Sequence, residues 1–372
     1  MASSIYQELP SFDNEKYKGR GLTGLSNLGN TCFMNACLQC LSHTYILREL
    51  LTNEQFVSKL ETLSEGTLIK EWATLNNLMW SENCVISCDR WLESVQKKAQ
   101  QKGQMLFTGY NQNDCCEFIM FMLEQFHEEL KRQVKMTING QVINNSDKLA
   151  IKCFDKIKST YEKEYSEMIN IFFGVQLMRI KSKTIPVTTH VENPEMFFIL
   201  NLSIPETTVV KNAFSLDDCF KYSMESEILE GDNAWYNETT KQKEDVFIEH
   251  CYWKLPMIMI VCLKRFNNYG RKINNYLTMA LDNKSQDGMF SIVIDMSPYV
   301  ESHTVGDSNT YEVYGFCIHS GGTLGGHYFS VVKNASGKWY IYNDQSVKLI
   351  NNPDTDIPNL YSKSYCLFMK KI

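Results

Sequence analysis

Apolar positions recur at helical spacing in the first half of this chain and condense into short apolar runs in the second. Asn30 and Thr31 can cap a helix running from Cys32 to about Leu50, with Phe33, Cys37, Cys40 and Leu41 on its buried face. A second helical stretch covers roughly 54–80. A third covers 113–132, where Phe118, Met122, Phe126 and Leu130 share a face and Glu128 and Arg132 stand four apart as an ion pair. Residues 137–148 contain Asn139-Gly140 and Asn144-Asn145, which predict a turn or loop. Beyond about residue 170 the pattern predicts strands at 171–177, 196–202, 246–254, 257–263, 290–294, 311–319, 327–332, 339–342 and 365–369. Helices first and antiparallel strands afterwards predict an α+β fold. Residues 1–20 are polar and predict a loose extension, and there is no internal repeat or low-complexity segment.

Composition narrows the classes. At 372 residues the chain is long enough for two or three domains, or for one elaborated domain, and core size is not limiting. A net charge of −6, with no basic tail or stripe, argues against a nucleic-acid partner. Thirteen cysteines, scattered and mostly inside apolar runs, predict buried reduced thiols in an intracellular protein, cytoplasmic or nuclear, rather than a disulfide framework. Residues 1–10 lack the basic-then-apolar pattern of a secretory signal. The longest apolar stretch, 255–263, falls far short of the roughly 20 residues that span a bilayer, so no membrane partner is expected.

Two distant segments carry candidate chemistry. Cys32 stands where a helix begins, and backbone N–H groups at a helix N-terminus favour a thiolate. Gly24 and Gly29 upstream allow close backbone approach to a substrate, and Asn27 can turn its amide toward the same spot as an oxyanion donor. Near the other end, His327 leaves a glycine-rich loop and opens a strand. The next strand ends in Asn343-Asp344, and a short hairpin would bring one of the two beside His327 to fix its tautomer. Each residue also has a plainer reading: Cys32 as a packing cysteine at a helix start, His327 as a structural histidine. A Cys/His pair points to covalent hydrolysis.

Taken together, these segments resemble the ubiquitin-specific protease family of deubiquitinating enzymes, papain-like cysteine proteases, over about 21–372. Residues 24–35 resemble the family's cysteine box. Gln112-Asn113-Asp114-Cys115-Cys116-Glu117-Phe118 is similar to its second helical motif, with Cys115-Cys116 where an Ala-His type pair is usual. Leu255-Pro256 with Cys262-Leu263-Lys264-Arg265-Phe266 resembles its palm-strand motif. Residues 311–319, Gly326-His327-Tyr328 and 339–344 resemble its histidine box, and Ser364-Tyr365-Cys366-Leu367-Phe368 its closing strand. The resemblance implies a right-hand architecture: a helical thumb over about 21–170, β fingers over about 172–255 and an antiparallel β palm over about 256–372. It implies Cys32 as nucleophile, His327 as general base and then acid, and Asn27 as oxyanion donor. Asn343 takes the third triad position, with Asp344 supporting or replacing it. It also implies Asp114 and Glu117 as a grip on the basic ubiquitin tail, and Phe266, His319 and Tyr328 as walls of a narrow channel for its terminal glycines. The plainer alternatives are a helix cap for Asp114, core packing for Phe266 and a satisfied strand-end histidine for His319. Ubiquitin and ubiquitinated proteins are the implied partners, with the enzyme a monomer.

The pattern also departs from the family. Finger segments often carry two Cys-x-x-Cys pairs for structural zinc; here the corresponding segments, 178–184 and 237–240, contain no cysteine. No cofactor is therefore expected. Cys37-Leu38-Gln39-Cys40 has no second pair near it in sequence and fits the buried face of its helix. Three rivals stay open at this point: a non-catalytic ubiquitin-binding scaffold, a general papain-like peptidase, and a protease for another ubiquitin-like modifier.

Overall fold

The computed structural model describes residues 14–206, 212–267, 269–279, 289–301, 308–322 and 325–372. Gly29 and Asn30, at φ of 96° and 58°, turn the chain into the helix Cys32–Ser42. This helix is shorter than its apolar pattern predicts. The chain breaks at His43-Thr44 and restarts as Tyr45–Thr52. At the break the buried His43 ring binds the Gln39 carbonyl at 2.8 Å and the Tyr342 hydroxyl at 3.2 Å. The stretch expected over 54–80 divides into Glu54–Glu61 and Leu68–Ser81, with Gly66 at φ 75° between them. The helix Cys115–Leu130 buries Phe118, Met122, Phe126 and Leu130 as its spacing predicts. Glu128 pairs with Lys131 rather than Arg132, because Arg132 turns away to Glu167 at 2.9 Å.

The longer helices that went unread in the pattern are Asp89–Gln101, Asn145–Glu164, Leu216–Ser223 and Pro353–Tyr361. The second begins inside the segment expected to be a loop, where Asn144 and Asp147 form a capping box. The polar N-terminal stretch is anchored at its end. Residues Asn14–Tyr17 are helical, and the buried Tyr17 packs edge-on against Trp80 and donates its hydroxyl to Glu49. Residues 1–13 lie outside the described residues.

The strands form two main sheets. A four-stranded antiparallel sheet runs in the order Thr189–Phe197, Gly174–Ser182, Val246–Lys254, Glu227–Leu229. The eight-stranded sheet runs Ser346–Leu349, Trp339–Asn343, Gly325–Lys333, Thr310–Gly322, Ser364–Lys371, Ile258–Lys264, Leu200–Ser203, with Ile292–Asp295 also pairing Thr310–Gly322. Among the described residues of this eight-stranded sheet, Leu200–Ser203 is the strand that runs parallel to its neighbour. Two predicted strands are adjusted. Residues 171–172 close the helix Glu167–Phe172, and the expected 196–202 strand is two strands, one in each sheet.

The large sheet is buried on both faces, which explains its continuous apolar runs. In Ile258–Lys264, Ile258, Ile260 and Cys262 join the core beneath the N-terminal helices, whereas Met259, Val261 and Leu263 join a core on the opposite face. The helix Cys32–Ser42 is buried along its whole length and packs on the strand Gly325–Lys333. That contact joins the cysteine segment to the histidine segment.

Candidate active site

The helix that begins at Cys32 and the strand that carries His327 bring together residues almost 300 positions apart. The Tyr328 backbone N–H, next in chain to His327, donates to Cys32 Sγ at 3.5 Å. His327 Nε2 lies 2.6 Å from Asn343 Oδ1. An amide oxygen only accepts, so His327 carries its proton on Nε2 and leaves Nδ1 as an acceptor. Asn343 reaches this position because the strands Gly325–Lys333 and Trp339–Asn343 are hairpin partners.

Asp344 makes a different set of bonds from its neighbour. It sits at φ 49°, and its carboxylate accepts from Asn27 Nδ2 at 2.9 Å and Asn35 Nδ2 at 2.8 Å. Its carbonyl accepts from the Leu25 N–H at 2.9 Å. The expectation that Asp344 supports or replaces Asn343 at His327 is therefore corrected: Asp344 holds the cysteine loop. Asn27 is fixed at both ends of its amide, because its Oδ1 also accepts from the backbone N–H groups of Gly29 and Thr31, at 3.1 and 3.2 Å. Its NH2 end retains a second N–H and is exposed.

Two details of the cysteine loop differ from expectation. A Cβ on Gly24 would stand 2.3 Å from the Gln345 carbonyl oxygen, so this glycine admits the protein's own chain rather than a substrate. The helix start does not by itself hold Cys32 as a thiolate. Burial pushes its thiol up, the Tyr328 amide pulls it back, and the negative charge of Asp344 pushes it up again. The backbone N–H groups of Phe33 and Cys32 at the helix start also pull it down, by less.

Beyond Tyr328 opens a cleft of about 240 Å³. All five residues assigned to substrate contact line it: Asp114, Glu117, Phe266, His319 and Tyr328. The His319 ring lies 4.6 Å from that of Tyr328 and 5.9 Å from that of Phe266. His319 is held neutral, its imidazole brought down to about 4 by burial and by the nearby Lys272 ammonium. Asp114 does cap its own helix, accepting from the Cys116 N–H at 2.7 Å and the Glu117 N–H at 3.2 Å, and it also accepts from the Tyr365 hydroxyl. Glu117 is the exposed carboxylate of the pair, its pKa raised by partial burial and by Asp114.

Three site residues were missed in the sequence. Gln112 clamps the peptide next to His327: its Oε1 accepts from the Gly326 N–H at 2.9 Å and its Nε2 donates to the Gly326 carbonyl at 3.2 Å. Lys272 donates to the His319 carbonyl at 2.7 Å and to the Gly321 carbonyl at 3.1 Å, tying the segment after Phe266 to the histidine hairpin. Asn35 shares Asp344 with Asn27. Gln112 opens the motif that contains Asp114, so that motif was the available signal; Lys272 stands in no motif.

Residues 23–369 match the model of the family described as ubiquitin carboxyl-terminal hydrolase. The chain is similar to ubiquitin carboxyl-terminal hydrolase 4 of Saccharomyces cerevisiae, at 27% identity over 94% of this chain and 39% of that protein. It is also similar to ubiquitin carboxyl-terminal hydrolase 2 of Homo sapiens, at 28% identity over 93% of this chain and 55% of that protein. The chain thus spans about half or less of the length of these relatives. In structure it resembles the Ubp8-containing SAGA DUB module bound to monoubiquitin, with a TM-score of 0.69 at 20% identity, covering 98% of this chain and 72% of that one. The module bound to ubiquitin aldehyde gives a TM-score of 0.68 at 21% identity, over 95% and 70%. The α+β class expected from the sequence agrees with the helices and mostly antiparallel sheets described above, and the likeness to these structures is one of fold. Among the described residues, no helix is long and apolar enough to cross a membrane.

Proposed function

Because the chain belongs to the ubiquitin carboxyl-terminal hydrolase family, we propose that it is a deubiquitinating thiol protease that cleaves the (iso)peptide bond after the last glycine of ubiquitin. The observation that carries this reading is the bond from the Tyr328 N–H to Cys32 Sγ, beside a histidine whose Nε2–H is committed to Asn343. His327 Nδ1 takes the Cys32 thiol proton, and the sulfur attacks the glycine carbonyl. The oxyanion is met by Asn27 Nδ2 and the Cys32 backbone N–H. As the C–N bond breaks, His327 returns the proton to the departing amine. Water then attacks the thioester, giving its proton to His327, and free carboxylate and Cys32 thiol are regenerated.

In this reading the tail of ubiquitin lies in the cleft between Glu117 and the aromatic side chains of Phe266, His319 and Tyr328. The ubiquitin-bound states of the Ubp8 modules support this choice of substrate. The same reading divides the chain into a thumb, fingers and a palm at about 170 and 255, working as a monomer. The thirteen-cysteine composition supports an intracellular site of action.

The test is hydrolysis of ubiquitin with a fluorogenic amide at its C-terminus, beside the same amide on other ubiquitin-like modifiers. The expected result is turnover of the ubiquitin amide, abolished by Cys32→Ala while ubiquitin binding is retained. Binding without turnover would favour the scaffold, and preference for another modifier would reassign the substrate.

A further inference from the structure

A cavity of about 440 Å³ lies against the end of the strand Thr310–Gly322, where His319 lines both it and the cleft beside Tyr328. Arg265, Lys272 and Lys363 line it, and among the described residues no carboxylate does. In a chain whose net charge is −6 this is a local reversal of sign.

Arg265 is 3% exposed, and a charge so buried is ordinarily paired with an opposite one. Here its partners are backbone carbonyls. Nε donates to that of Ser364 at 2.5 Å, Nη1 to those of Ile273 and Asn275 at 3.2 and 2.9 Å, and Nη2 to that of Ser362 at 3.1 Å. Carbonyls satisfy donors but leave the charge uncancelled. With these bonds made, the planar fork that suits a carboxylate is spent and one Nη2 N–H remains. Lys272 is half-buried and gives its amine to the His319 carbonyl, the Gly321 carbonyl and His319 Nδ1, at 2.7, 3.1 and 3.1 Å. Burial and the Arg265 charge both lower that amine, so the two cations repel each other across the cavity wall. Lys363 adds an exposed amine that forms no ion pair among the described residues.

We propose that this cavity is a binding site for a small phosphate-bearing anion, held by the positive charges of Arg265, Lys272 and Lys363. Its volume falls in the range of pockets that take small molecules. Separate charges around a cavity, in place of one open guanidinium fork, suit a tetrahedral group with oxygens on several sides better than a planar carboxylate. A phosphate there supplies the counter-charge that Arg265 and Lys272 lack. It also stands beside the bonds by which Lys272 ties the segment after Phe266 to the histidine hairpin.

The experiment is calorimetric titration of the full chain with sodium pyrophosphate, free of divalent metal. Expected is one pyrophosphate per chain with a Kd below about 1 mM, weakened by added salt. Inorganic phosphate, which carries less charge, should compete more weakly. Lys272→Met and Lys363→Glu should each weaken binding by about tenfold or more. Lys135→Glu makes the same change in net charge at an exposed lysine outside the cavity, and should leave binding within about twofold. Arg265 is left intact because it holds the backbone carbonyls around it. If Lys272→Met does not fold, Lys363→Glu decides, since that side chain is exposed. No saturable binding at about 10 mM pyrophosphate overturns the proposal. So does binding that Lys135→Glu weakens as much as Lys363→Glu, which would be diffuse attraction, or binding untouched by Lys272→Met and Lys363→Glu alike. A phosphoserine peptide that binds through these lysines where pyrophosphate does not would assign the site to a phosphorylated partner and overturn the small-anion reading. These outcomes stand whether or not the chain is a deubiquitinase.

Discussion

Asn343 and Asp344 are adjacent in the chain and do separate work. Asn343 accepts from His327, while Asp344 accepts from Asn27 and Asn35. Their loss should therefore read out differently. Asn343→Ala frees the imidazole and is expected to lower kcat on the order of 100-fold with KM little changed. Asn27→Ala removes the proposed oxyanion donor and is expected to cost on the order of 100- to 1,000-fold in kcat, with KM little changed. Asp344→Asn has a sign of its own. The carboxylate charge raises the Cys32 pKa, so neutralising it should move the midpoint of Cys32 alkylation by iodoacetamide to lower pH. A midpoint that rises would contradict the assignment. The residue types at these places were legible in the sequence because Cys32, His327 and Asn343-Asp344 sit at recognisable starts and ends of elements. The split between Asn343 and Asp344 was not, because it turns on a single positive φ at Asp344.

Elements were legible where one face is apolar and bounded. The strand Val246–Lys254 lies where its alternation predicts, and the helix Cys115–Leu130 lies within two residues of its predicted ends. Elements were lost where the apolar face is thin or the boundary is made by side-chain hydrogen bonds. Asn145–Glu164 buries only Leu149, Ala150, Cys153, Ile157 and Tyr161 over 20 residues, and its start reads as a turn because Asn-Asn is common in turns. The strand Thr189–Phe197 is polar and half-exposed, with Pro194 within it, and has no period to find. The cap at Asn144 is open to test. Asn144→Ala is expected to lower unfolding stability by about 1 kcal/mol in denaturant titration, with catalysis unchanged, since the cap lies outside the cleft. A loss of turnover at full stability would contradict a purely capping role.

At the scale of the whole molecule, the large sheet is the frame that fixes histidine against cysteine. Its central strands are held at one end by Glu312, which receives Lys333 at 2.6 Å, Lys370 at 2.9 Å and the Ser291 hydroxyl at 2.5 Å. Burial alone would raise the Glu312 carboxyl, but Lys370, Lys333 and Ser291 together bring it down to about 2. A depressed carboxyl contributes stability that is fully present above its unfolded pKa of about 4.3 and is lost as pH falls through the folded value. Wild type should therefore lose stability between about pH 4.3 and 2 in excess of Glu312→Gln, whose curve should be flatter in that window and lower at neutral pH. Parallel curves would contradict the linkage. The sheet order itself was beyond the sequence pattern. Strand positions carry period and length, but pairing of Ser364–Lys371 between Ile258–Lys264 and Thr310–Gly322 depends on contacts separated by up to about a hundred positions.

The central claim is that Cys32, activated by His327, reacts with the C-terminal carbon of ubiquitin. The most direct measurement is intact-mass and peptide analysis after mixing the protein with ubiquitin carrying a C-terminal alkyne or vinyl electrophile. The account predicts a single adduct of one ubiquitin per chain, on Cys32 alone among thirteen cysteines, fast in wild type, slowed in His327→Ala and absent in Cys32→Ala. An adduct on another cysteine, such as the exposed Cys84, or no adduct on a folded chain that still binds ubiquitin, would contradict it.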